Sequence, residues 1–142
     1  MAKRMGFEAV LNYKVGGQGA GGSWIEDANV RDLTLSMEKG EADFTTRGNA
    51  GWKALVGALK SGSVEWEMVW DTADAGFVAI RNAWFGDAMI GLQILDAPGG
   101  QGLQADFEVF TFSRAEPLEA GQMVSVGVKV TYSATPPSWI GA

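Results

Sequence analysis

The chain has 142 residues, 46% apolar and 20% charged, a balance that fits one folded domain with a real core and excludes global disorder. It holds no cysteine and no histidine, which removes disulfides, thiolate chemistry, the commonest general base and the commonest metal ligand together. Without those side chains no enzyme, cofactor site or metal site is expected, and the formal charge of −6 opposes tight binding to a phosphate backbone.

The basic start, Lys3 and Arg4, has no apolar stretch behind it and does not read as a secretion signal. No apolar run approaches the roughly 18 residues that a membrane helix needs, so no membrane partner is expected. Phe7 to Tyr13 gives a weak strand. The tract Gly16 to Ser23 reads as a flexible surface loop. It lacks the lysine-serine ending of a phosphate loop and opens no helix.

From Asn29 a long polar-faced hairpin is expected. Leu33, Leu35 and Met37 alternate with Thr34 and Ser36, and a turn is placed at Lys39-Gly40. A second strand ends in Asp43-Phe44-Thr45-Thr46-Arg47, followed by a glycine-broken loop over residues 48–62 that carries Gly51-Trp52 and should be mobile in a free subunit. In the next strand Val64, Trp66, Met68 and Trp70 alternate with Glu65 and Glu67, so both carboxylates share one face. Asp32, Glu38, Glu41 and Asp43 have no spacing that converges them on a site.

Residues 72–86 break the period of two. Phe77, Ile80 and Trp84 recur at helical spacing, with Asp71 or Thr72 as cap and Gly86 as stop, so a helix should bury all three against a sheet. A more fully apolar strand follows at 88–95, then a compact turn at 97–102. Leu103, Ala105, Phe107 and Val109 alternate with Gln104, Asp106 and Glu108, and Val124 to Tyr132 alternates with Ser125, Gly127, Lys129 and Thr131. The tail, 134–142, cannot run as a strand through Pro136 and Pro137, which leaves Trp139 and Ile140 placed to dock on something. The fold class is mainly β: an antiparallel sandwich or partial barrel with one flanking helix, in a single domain.

Asp43-Phe44-Thr45-Thr46-Arg47, Gly51-Trp52, Leu55, Ala58-Leu59-Lys60 and Ser61, followed by Ser63 to Glu67 leading to Asp71, resemble a segment of the major tail tube proteins of long-tailed phages and gene transfer agents. The resemblance spans residues 32–131. The glycine tract at 16–22 departs from it. The resemblance implies a virion tail protein that forms hexameric rings stacked into a hollow tube, meets other tail proteins such as the tape measure and terminator, and lets DNA pass without tight binding. It also implies that the hairpin loop reaches an adjacent subunit or ring, which makes Phe44, Arg47, Trp52 and Leu55 interface candidates, and Trp139 and Ile140 of the tail join them. Glu65, Glu67, Asp106 and Glu108 are the candidates for an acidic lumen, with the strand 103–112 favoured as a stave. Two other readings stay open: the tube of a contractile tail or type VI secretion-like machine, and a monomeric β-barrel that binds small apolar molecules in a sealed cavity.

Overall fold

The computed structural model describes residue 3 and residues 5–141. Among the described residues eight strands and one α-helix follow in order: β1 Val10–Val15, β2 Ile25–Glu26, β3 Val30–Asp43, β4 Leu55–Val69, α1 Ala75–Phe85, β5 Ile90–Leu95, β6 Gly102–Ala115, β7 Met123–Val130 and β8 Ser138–Ile140. All pairings are antiparallel, in the order β2-β1-β5-β6-β7-β4-β3, with β8 added to β6. The sheet curves into a half-barrel with α1 packed on its inner, apolar side.

The period-two alternation survives in three dimensions. Val64, Trp66 and Met68 of β4 and Val124, Val126 and Val128 of β7 are buried, whereas Glu65, Glu67 and Ser125 face solvent. In β6 the alternation is interrupted by a bulge between Val109 and Thr111, which returns Phe112 to the core opposite Val126. Phe112 then lies 5.9 Å from the Phe77 ring, and Trp70 meets Phe77 edge-on at 4.8 Å. Phe77 and Phe107 have no exposed surface, so side chains fill the interior and leave a packed core where a ligand-binding barrel would keep a cup.

The helix begins three residues later than expected. Asp74 caps it by accepting from Phe77 N at 2.9 Å, while Asp71 caps the preceding turn through Ala73 N. Phe77 and Ile80 are buried as expected, but Trp84 is 39% exposed and rests edge-on against Phe85. The buried stripe instead includes Gly76, Ala79 and Ala83. These small residues bring the helix close to the sheet and rotate the larger Trp84 to its flank.

The expected turn at Lys39-Gly40 is also corrected. Strand β3 runs straight through it with only a register shift between Lys39 and Glu41, and Leu55 to Gly62, placed in a loop by the sequence reading, belongs to β4. Asp43 pairs with Leu55, so the arm reaches its tip only at residues 44–54. Nor is the tail strandless: β8 forms beyond the prolines, with Leu103 opposite Trp139 and Gly102 opposite Ile140.

Two outcomes follow. Phe77→Ala should cost about 3–5 kcal/mol and Trp84→Ala less than about 2 kcal/mol, read from urea unfolding. The second concerns Asp27, which is buried against α1, its carboxylate within 3 Å of where a Cβ on Gly76 would lie. Burial, together with the charge of Asp74, lifts its pKa from 3.8 to about 6, against the hydrogen bond from Asn29 N. The folded state therefore holds this proton more tightly than the unfolded chain. Its contribution is full below pH about 4 and is lost as pH rises through about 6. Asp27→Asn should flatten that slope and raise stability at pH 7.5 by about 1–3 kcal/mol, measured by denaturation at pH 4.5 and 7.5.

Candidate functional site

Strands β6, β7, β4 and β3 form a four-stranded unit with one apolar and one polar face. On the polar face Thr34, Glu65, Gly127 and Thr111 lie in one row, and Glu67, Ser125 and Ser113 in the next. Ser36, Ser63, Lys129 and Glu108 make a third row. Asp32, Thr34, Glu65, Glu67, Thr111, Ser125 and Gly127 line a shallow open groove along it. Four carboxylates (Asp32, Glu65, Glu67, Glu108) thus share the face with Lys129, which stands over the Phe110 ring at 5.7 Å. The strand pattern made Glu65 and Glu67 legible; Asp32 falls in the register shift between Val30 and Leu33, and only the folded groove brings it beside them.

Asp106 projects from the same side of β6 as Glu108 but is covered and is not part of the open face. It is 1% exposed, and its carboxylate accepts from Gln18 N at 2.6 Å and from the Ser133 hydroxyl. Its placement among lumen-facing residues is withdrawn. Alternation assigned it to a solvent face, but the glycine tract and the tail fold over that face. Gly17 takes a φ of 103° and passes so close to Asp106 that a Cβ there would lie 2.8 Å from Oδ1. The tract is therefore a packed cover over β5 and β6. Side-chain amides tie it down in sequence: Asn12 donates to Gln93, Gln93 to Gln104, Gln104 to Gln18 and Gln18 to the Thr135 carbonyl.

The arm of β3 and β4 ends in a turn that is held by its own polar groups. Asp43 accepts from Thr45 N, Thr45 Oγ1 accepts from Ala54 N, and Phe44 N donates to the Ala54 carbonyl, each at 2.9 Å. The hydrogen bonds from Thr45 hold the Asp43 carboxyl below the usual range. Ala50 and Gly51, both at positive φ, then turn the chain so that Trp52 stands 79% exposed beside Arg47 and Lys53. Phe44 and Leu55 are exposed as well. Trp139 and Ile140 lie elsewhere, on β8 at the start of β6, where the Trp139 indole donates to Gln101 at 3.1 Å. The six interface candidates thus form two separate patches.

The profile of the family described as "Phage tail tube protein" matches residues 6–133. This chain belongs to that family. It is a structural component of the virion tail and not an enzyme. Solved structures agree on the fold. The tail tube subunit is similar to a chain in the tail of an empty gene transfer agent particle with C6 symmetry (18% identity, TM-score 0.75, 96% of this chain and 98% of that one). It is equally similar to the SPP1 tail tube (16% identity, TM-score 0.75, 99% and 80%). A baseplate chain of the anti-feeding prophage shares the fold more distantly (7% identity, TM-score 0.64, 99% and 97%). No curated protein matches the sequence significantly.

Asp106→Ala should leave the Gln18 amide and the Ser133 hydroxyl unpaired and cost about 1–3 kcal/mol or more. Hydrogen exchange should quicken across residues 16–22 and 131–135 and stay unchanged in the β3–β4 arm. Retained protection of the Gln18 amide would show that the cover does not depend on this carboxylate.

Proposed function

We propose that six copies of this tail tube protein close into a ring, that rings stack into a hollow tube, and that DNA passes through a lumen lined by the polar face of β6, β7, β4 and β3. The observation that carries the reading is the pair of open edges on that unit. The outer edge of β3 and the edge of β6 over Glu108–Ala115 opposite β7 have no strand partner among the described residues. Because the four strands alternate in direction, joining β6 of one copy to β3 of the next continues an antiparallel sheet without a break. Six units give a barrel of 24 strands, matching the C6 symmetry of the related gene transfer agent tail.

With strands about 4.8 Å apart and tilted by about 36–45°, such a barrel has a backbone radius of roughly 23–26 Å. Side chains leave a bore wider than a nucleic-acid duplex. Asp32, Glu65, Glu67 and Glu108 then recur six times around it. Their field repels phosphate over about 8–10 Å in ordinary salt, so DNA stays hydrated and does not adhere. Phe44, Arg47, Trp52 and Leu55 at the arm tip supply anchors to an adjacent subunit, as buried aromatic and arginine side chains do at interfaces. Trp139 and Ile140 supply a second patch. The tape measure and terminator are the expected partners inside the bore and at its end. The second reading is the tube of a contractile tail or type VI secretion-like machine, which a copurifying sheath would establish.

Concentrated protein should form hollow tubes with six-fold rings in electron micrographs, and Trp52→Ala should reduce their yield. Tubes of Glu65→Lys/Glu67→Lys should retain labelled duplex at low salt and release it as salt rises, whereas unaltered tubes should not. Equal retention by both would overturn the lumen assignment.

A further inference from the structure

The arm carries an unfavourable feature that the ring does not explain. Lys39 and Lys60 are directly opposite each other across β3 and β4, an arrangement that costs stability when like charges are left alone. Both line a groove of about 380 Å³ whose apolar walls are Met37, Leu103, Val130, Pro137 and the half-exposed Trp139, with Glu38 on its rim. An apolar trough with two ammonium groups at its side fits an apolar knob flanked by carboxylates.

The same chain carries one. The turn between β6 and β7 reads Glu116-Pro117-Leu118-Glu119, and Leu118 is 100% exposed. Glu116 is shared with Arg114, while Glu119 makes no ion pair among the described residues. The knob sits at the far end of β6 from the groove: Leu103 is the second residue of the strand and Ala115 the last, roughly 40 Å apart at about 3.3 Å per residue. Knob and groove therefore cannot meet within one copy. The arm projects from the groove end, so a second copy stacked on it with the same orientation presents its knob end.

Resting on the tube reading above, we propose that the Glu116–Glu119 turn of a subunit in one ring inserts Leu118 into the Met37–Trp139 groove of a subunit in the next, with Glu119 answering the Lys39–Lys60 pair. This is a head-to-tail contact that repeats without closing, as a filament requires. It is separate from the edge-to-edge joints within a ring. It also gives the tube a direction, because the groove end of every ring faces the same way.

The absence of native cysteine allows a direct test. Met37→Cys chains and Leu118→Cys chains, mixed before assembly and treated with a short bismaleimide, should give dimers that neither gives alone. The doubly substituted chain should give a ladder. Tubes that form without these crosslinks overturn the contact and leave the tube reading standing. A chain that never leaves the monomeric state overturns both. Charge exchange supplies the second readout. Lys60→Glu or Glu119→Lys alone should shorten the tubes while rings persist, and the two combined should restore their length. Loss without restoration would show that the two charges do not meet.

Discussion

A buried carboxylate sits at the place where β6 changes partners, and much of the molecule is arranged around it. Strand β6 pairs with β8 over Gly102–Gln104 and with β7 from Phe107 onward. Between them lies Asp106, whose carbonyl takes Thr131 N at 3.1 Å and whose carboxylate takes Gln18 N and Ser133. A carboxylate removed from water is tolerated only when hydrogen-bonding partners surround it. Those partners come from two segments distant in sequence, so the glycine tract and the chain after β7 must both lie over the sheet. The left-handed backbone at Gly16 and Gly17 serves that approach.

This arrangement divides the sheet by role. On the side of β1, β5 and the first half of β6, the amide chain from Asn12 to Thr135 and the cover above it satisfy the outer face from within the chain. Gly91 permits the contact, since a Cβ there would lie 3.0 Å from Gln18 N and the Trp24 ring. On the side of β7, β4 and β3, the polar face and both strand edges are left open. One half is completed internally, and the other is presented outward.

Alternation in the sequence was enough to locate the first part of β3, the later part of β4, β6 and β7, to place Glu65 and Glu67 on one open face, and to find the α-helix. It failed where a second layer overrides the pattern. Asp106 occupies a polar position in an alternating strand, and nothing local reveals that residues 17, 18 and 133 will cover it. Lys39-Gly40 has turn composition, yet the bulge absorbs it because Asp43 and Leu55 can still pair beyond it. Trp84 has helical spacing, but small residues decide how closely a helix approaches, and size alone weighted the expectation toward the tryptophan. The groove beside Lys39 and Lys60 was unreadable because its far wall comes from β8, a strand hidden behind two prolines.

The register also carries an order of events. Strands β3 and β4 join residues as close as Asp43 and Leu55, and β5 and β6 as close as Leu95 and Gly102. By contrast β4 must find β7, with Ser63 opposite Lys129, and β1 must find β5, with Val10 opposite Leu95. Chain closure over such spans is paid before its contacts reward it, so the local hairpins form early and the half-barrel closes late. The long arm thus stands complete while the core beneath it is still open, among other newly made arms with bare edges. Arg31, Asp32, Glu38, Lys39 and Glu41 on that strand, and the register shift beside Gly40, discourage one arm from zipping onto another. What looks like irregularity in the finished subunit acts as a guard against premature pairing during the interval before it is finished.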